Sequence, residues 1–93
     1  MATRRSAGRE GLIKKAVLAK EIARILRDGG LTQTKAAYIT REAPSQLSLI
    51  VNGHLDGFSS ERLLRTLTRL GRDVSLTIRP ARGRAGKVRL TVR

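Results

Sequence analysis

Residues 31–53 read LTQTKAAYITREAPSQLSLIVNG, and this stretch decides the fold. Thr32 is a good N-cap for a short helix, since its hydroxyl can accept one of the backbone N–H groups that the first helical turn leaves unpaired. Pro44 suits the first turn of a second short helix, where its missing N–H costs nothing. Gly53 is expected to end that helix. The stretch therefore predicts two short helices joined by a turn over residues 40–43.

The second of these helices is predicted to have two faces. Leu47, Ile50 and Val51 recur at helical spacing and are expected to pack against the rest of the domain. The opposite side is short and largely hydrogen-bonding, and it consists of Ser45, Gln46, Ser48, Leu49 and Asn52. A helix braced in this way can enter the major groove of double-stranded DNA, whose width admits one helix.

Longer helices are predicted on both sides of this pair. Before it, apolar residues recur every three or four positions up to residue 27, and Gly29 then stops the helix. After it, Ser59 is expected to cap a further helix, with Phe58 packed on Leu63, and Gly71 closes that helix. The expected apolar stripes are Leu18, Ile22, Ile25 and Leu26 in the first helix, and Leu63, Leu64, Leu67 and Leu70 in the last.

The hydrophobic period then changes from helical to two. Val74, Leu76 and Ile78 alternate with polar residues, which predicts a half-buried β-strand ended by Pro80. Because a lone strand exposes unpaired backbone groups, we expect it to pair with the same strand of a second subunit. Pairing within the chain with residues 88–92 is the competing interpretation, and both pairings can coexist in a four-stranded sheet.

Composition favours DNA as the partner. The 93 residues include 20 Lys and Arg against 7 Asp and Glu, and the resulting net charge of +13 attracts polyanions. The aromatic residues are limited to Tyr38 and Phe58, which argues against nucleic acid bound by base stacking. Double-stranded DNA, bound through phosphates and groove edges, is the expected partner.

Other classes of function are disfavoured. The sequence has no cysteine, and its one histidine, His54, lies near Asp56 without a second ligand or nucleophile, so neither an enzyme nor a metal or other cofactor is expected. No segment approaches the roughly twenty continuous apolar residues that span a bilayer, so no membrane partner is expected. Residues 1–9 are basic but lack a following apolar stretch, which favours a cytoplasmic location over secretion.

These patterns divide the chain into four parts. Residues 1–10 are expected to form a flexible basic arm, either solvated or in contact with DNA. Residues 11–72 are the predicted helix-turn-helix domain, and residues 73–80 hold the dimerisation strand. Residues 81–93 are basic and form either a tail or a second strand.

Residues 31–53 resemble the Cro/repressor (XRE) helix-turn-helix family, whose usual string begins LTQ and ends with a helix of the form PxxVSxxxxG. The segments LDGFSSERLL at 55–64 and LGRDV at 70–74 resemble a narrower subgroup, the HigA-type antitoxins. The resemblance covers about residues 12–80. It implies a mainly α, lambda-repressor-like bundle of four to five helices, with a short C-terminal β-strand or hairpin used for dimerisation.

Side-chain chemistry and the resemblance together predict roles for single residues, with ordinary solvated positions as the alternative. Gln46 is the strongest candidate for reading a base, because its amide offers a donor and an acceptor that match the groove edge of adenine. The predicted base-reading residues are Ser45, Gln46, Ser48 and Leu49, and the predicted phosphate-contacting residues are Thr32, Gln33, Lys35, Arg41 and Asn52.

The turn departs from the family pattern. Arg41 stands where the family usually has Gly, and Thr40 and Glu42 stand where it usually has apolar residues. A non-Gly residue in left-handed geometry costs roughly 1 kcal/mol, so the turn is either shaped differently or tolerates strain.

Together these features predict a homodimeric repressor on a near-palindromic operator. The resemblance implies an antitoxin that neutralises an RNase toxin of the RelE type and represses its own operon. The alternative is a stand-alone regulator or a nucleoid-like basic protein without a toxin partner.

Overall fold

The computed structural model describes residues 13–92. Within them the chain forms four α-helices: α1 (Lys15–Asp28), α2 (Gln33–Thr40), α3 (Pro44–Val51) and α4 (Ser60–Arg69). The mainly α-helical bundle is thus confirmed, and each helix lies where the sequence pattern predicts one. The predicted arm over residues 1–10 lies outside the described residues.

The core lies between the helices, and all four contribute to it. α1 packs against α3 and α4, and α2 packs against the same two. Ile22, Ile50 and Leu63 have no exposed surface, and each such side chain contributes about 1.5–3 kcal/mol relative to an exposed one. The other buried apolar residues are Leu18, Ala19, Ile25, Ala36, Leu47, Phe58 and Leu67. The predicted stripes of the first and last helices are therefore confirmed.

Side-chain caps fix the starts of two helices. The backbone N–H of Lys35 donates to Oγ1 of Thr32 at 3.1 Å, and the backbone N–H of Arg62 donates to Oγ of Ser59 at 3.1 Å. Both caps were predicted from the sequence, and each satisfies a backbone donor that has no partner within its helix. The two caps therefore stabilise the starts of α2 and α4.

The predicted C-terminal strand is not formed. No strand occurs in the described part of the chain, and residues 70–92 follow α4 without regular structure, so neither the strand over residues 74–79 nor its hairpin with residues 88–92 is present. Val74, Leu76 and Ile78 are 45%, 83% and 88% exposed. A strand is held by hydrogen bonds to a neighbouring strand, and in the single chain this segment has none.

Candidate nucleic-acid interface

α3 presents the polar face that its sequence predicts. Leu47 and Ile50 are buried against the other helices, while Ser45, Ser48 and Leu49 are exposed on the outer side. Pro44 begins the helix after an extended Ala43, as expected for a residue that precedes proline. The outer side of this short helix therefore offers two hydroxyls and one apolar side chain to a partner.

The C-terminal end of α3 differs from the prediction. Val51 is 46% exposed, although its spacing suggested the packed side. It lies about 100° around the helix from Ile50, at the edge of the packed face, where it lines an open groove against α1. Next to it, Asn52 Nδ2 donates to the backbone oxygen and to Oγ of Ser48 at 2.8 and 3.3 Å. Ser48 and Asn52 thus form one hydrogen-bonded unit.

Gln46 occupies a position between the two faces. It is half-buried instead of fully outward, because the start of α4 lies beside it. Nη2 of Arg62 donates to Oε1 of Gln46 at 3.5 Å. The residue with the strongest predicted role in base recognition therefore already has a partner inside the protein.

The turn before α3 has a left-handed residue, Arg41, at the position where a glycine is usual. Arg41 has φ of 60° and ψ of 28°, and its N–H donates to the backbone oxygen of Ala37 at 2.8 Å, which ends α2. Of the described residues other than glycine, it alone has a positive φ. The turn keeps the geometry for which a glycine is usual and accepts a strain of roughly 1 kcal/mol.

Thr40 stands at a position of the turn where an apolar residue is usual, and its hydroxyl is nevertheless hydrogen-bonded. The side chain is fully buried, and Oγ1 donates to the backbone oxygen of Ala36 at 2.6 Å. The same oxygen accepts the backbone N–H of Glu42 at 3.3 Å, and Nη1 of Arg69 donates to the Thr40 carbonyl at 3.2 Å. A buried threonine is acceptable here because every polar atom has a partner.

Glu42 stands at the other position of the turn where an apolar residue is usual, and it is paired with Arg62. Its carboxylate is buried, and Arg62 binds both oxygens: Nε donates to Oε2 at 2.8 Å, and Nη2 donates to Oε1 at 2.6 Å. The Arg62 guanidinium also lies 4.5 Å from the centre of the Phe58 ring. The hydrogen bond to Glu42 raises the pKa of Arg62, and partial burial opposes that shift. This pair ties the turn before α3 to the first turn of α4.

Arg62 is the residue that the sequence analysis missed. It lies in a segment noted only for its resemblance and its apolar stripe. A signal was available, because a carboxylate at a normally apolar position requires a cation within reach. That signal does not say which of the many arginines of the chain supplies it.

The predicted phosphate-contacting residues at α2 are exposed. Thr32, Gln33 and Lys35 lie at its N-terminal end, and Arg41 follows its last residue. Within residues 13–92, neither Lys35 nor Arg41 forms an ion pair with a carboxylate. These two cations are therefore available to an anionic partner on either end of the same short helix.

Other kinds of site find no support in the described range. His54 and Asp56 are both exposed on the loop between α3 and α4. Residues 13–92 contain no cluster of three or more side chains able to ligate a metal. No helix in that range has the length and apolar character needed to cross a membrane.

Comparison with known proteins agrees with this geometry. The model of a helix-turn-helix domain family matches residues 5–79 of the chain. A solved structure that carries the provisional description XRE family transcriptional regulator is similar with a TM-score of 0.76 and 29% identity, over 91% of this chain and 96% of the other. No curated protein matches the sequence significantly.

Replacing Arg62 with Leu is expected to destabilise the fold by about 2–4 kcal/mol, because it leaves the Glu42 carboxylate buried without a partner. Replacing Glu42 and Arg62 together with Leu is expected to cost less than the single change, since no buried charge then remains. Urea unfolding followed by circular dichroism measures both free energies of unfolding. Additive losses in the double variant would contradict the role given to the pair.

Proposed function

This chain belongs to the helix-turn-helix domain family, and from that premise we propose that it is a homodimeric transcriptional repressor of a near-palindromic operator. The family and the XRE-type likeness make it a DNA-binding transcription regulator and not an enzyme. The observation that carries the proposal is the exposed outer side of α3, together with Lys35 and Arg41 of the preceding helix and turn, which form no ion pair within residues 13–92. The net charge of +13 favours the same partner. A cytoplasmic location stays a prediction from the sequence.

The contacts divide into two kinds in this proposal. The outer side of α3 enters the major groove and reads base edges, and α2 lies across the sugar-phosphate backbone. The base-reading residues are Ser45, Gln46, Ser48 and Leu49. The phosphate-contacting residues are Thr32, Gln33, Lys35, Arg41 and Asn52. With so few base contacts per subunit, affinity rests largely on phosphates and falls steeply with salt.

Two substitutions separate these roles. Gln46→Ala is expected to lower the ratio of operator to scrambled-duplex affinity by about fivefold or more, because a base contact is lost. Arg41→Ala is expected to weaken binding equally on both duplexes and to reduce the salt slope by about one. Binding curves at several salt concentrations, on an operator selected from random duplexes, measure both effects.

Arg41→Gly serves as the matched control, since it removes the same charge while relieving the left-handed strain. The Arg41→Gly variant should bind DNA as weakly as Arg41→Ala. It should unfold at a higher temperature than Arg41→Ala. An unchanged affinity ratio in Gln46→Ala would reject the proposed reading of a base by that residue.

A second copy of the chain is the proposed partner of the segment after α4. Leu76 and Ile78 are almost fully exposed and alternate with polar residues, which is the pattern of one apolar strand face. A two-stranded ribbon alone is marginal in water, but residues 74–79 and 88–92 of two copies supply four strands. Such a pairing relates the two α3 helices by a two-fold axis and favours half-sites about 34 Å apart.

Ile78→Lys is expected to prevent this association, because it places a charge on the apolar face of the proposed sheet. Ser75→Lys is the matched control: it adds the same charge to the same segment but on the opposite face, and the dimer should persist. Light scattering coupled to size exclusion reports the mass. Equal masses for the two variants would exclude pairing through this face.

The finer role that we propose is that of an antitoxin. It rests on the resemblance of residues 55–64 and 70–74 to HigA-type antitoxins, which implies a small RNase toxin of the RelE type as partner. The description of the similar solved structure as a transcriptional regulator favours the alternative, a stand-alone regulator.

Co-purification from the native host distinguishes the two roles. We expect the tagged chain to retain a small RNase at equal stoichiometry and to release it on denaturation, with a tagged Ile78→Lys variant testing whether retention needs the dimer. A protein that binds its operator but retains no RNase would support the stand-alone role.

A further inference from the structure

The bend at residues 82–85 carries two arginines and otherwise only small residues. It lies between the two segments proposed above as strands. A Cβ atom on Gly86 would lie 3.8 Å from the Cβ atom of Ala81, so the two ends of the bend are close together. From Ala81 to Gly86 the sequence reads ARGRAG, so only Arg82 and Arg84 have side chains longer than a methyl group. The bend therefore presents two guanidinium groups on a narrow backbone.

These two arginines belong to a segment with one sign of charge. No Asp or Glu follows residue 73, and both arginines are exposed. Within residues 13–92, neither of them forms an ion pair with a carboxylate. Like charges in a short segment repel one another, and a polyanion that binds them removes this repulsion. The cations after residue 73 are Arg79, Arg82, Arg84, Lys87, Arg89 and Arg93.

The residue types in the bend favour the minor groove of DNA. A narrow minor groove, as in A·T-rich DNA, has an enhanced negative potential that attracts inserted arginine. A guanidinium is more weakly hydrated than an ammonium group, so it loses less on leaving water. The alanines and glycines beside the two arginines let the backbone approach the edge of the groove. Protection of a strand edge, the other usual role of exposed cations, calls for charges on the strands themselves and typically uses lysine.

The bend is tethered to the bundle by a segment long enough to reach along the DNA. Residues 70–81, which join α4 to the bend, span at most roughly 43 Å when extended, more than one turn of the double helix at about 34 Å. The tether keeps the bend at a high effective concentration near any duplex that α3 occupies. Because the bend connects the two proposed strands, insertion and dimerisation use different side chains of one segment.

We propose that Arg82 and Arg84 insert into the minor groove of an A·T-rich stretch of the operator, outside the base pairs that α3 contacts. The inference rests on the proposed function, in which α3 of the same chain occupies the major groove. An A·T pair presents only acceptors in the minor groove, whereas the amino group of guanine projects into it as a donor. The two arginines therefore disfavour G·C pairs in that stretch and add a second reading element to the few contacts of α3.

Duplexes that contain inosine test which groove is read. An I·C pair keeps the major-groove acceptors of a G·C pair but lacks the amino group in the minor groove. Base pairs of an operator selected from random duplexes are replaced in blocks, by G·C in one series and by I·C in another. At one A·T block or more, the G·C series should bind about fivefold or more weakly, and the I·C series should bind as the parent operator does. Equal affinities of the two series at every block would overturn the inference.

A pair of variants tests whether the bend causes this penalty for G·C. Arg82→Gln combined with Arg84→Gln should remove the penalty. Lys14→Gln combined with Lys20→Gln is the matched control, because it removes the same charge from exposed positions at α1, and it should retain the penalty. Residues 71–92 are all exposed, so the arginine variant should fold, which thermal unfolding checks. An arginine variant that binds every duplex more weakly but keeps the penalty would indicate attraction to phosphates alone and would overturn the proposal.

Failure of this inference is distinguishable from failure of the proposed function. If the wild-type protein binds no duplex more tightly than a scrambled one, the proposed function is wrong and the inference falls with it. If Gln46→Ala lowers the preference for the operator while the arginine variant behaves as its control does, only the insertion of the bend is wrong. A bend that binds an acidic protein instead of DNA gives this second result.

Discussion

The carboxylate of Glu42 and the guanidinium of Arg62 join the turn before α3 to the first turn of α4, and the placement of the candidate interface depends on this contact. α3 has eight residues, too few to be stable as an isolated helix, and it buries only Leu47 and Ile50 in the core. Apolar packing alone leaves its first turn weakly held. A bidentate pair with a defined geometry holds the turn that leads into α3 in a way that a contact between two apolar side chains does not.

The polar turn is a connected unit. Thr40 and Glu42 replace apolar residues, yet each polar atom described above finds a partner within α2, α4 or the turn itself. Between them, Arg41 takes up the left-handed geometry. The chain therefore accepts a small backbone strain at an exposed position of the turn. In return it gains an exposed cation beside the helix that carries the polar face.

Charge and shape contribute differently to the proposed binding. The large positive charge gives attraction to DNA without regard to sequence, and it acts through many solvated cations. In the proposed complex, discrimination rests on a few side chains of α3. A face this small is weakly selective in one subunit. In the proposed dimer, two copies on a two-fold axis double the number of base contacts, which is the physical advantage of dimerisation.

The sequence by itself determined the helices, their caps and the core stripes, because helical spacing and the chemistry of Thr32, Ser59 and Pro44 act locally. It also located the unusual turn. Only the tertiary structure decided that Glu42 is paired with Arg62, that Gln46 is half-buried beside it and that Val51 is exposed. The first two facts depend on how the first turn of α4 lies beside the turn before α3 and beside Gln46, since residues 20 positions apart meet there. The exposure of Val51 follows from its place beside the open groove against α1. The strand predicted after α4 is absent for a related reason, because a strand requires a neighbour.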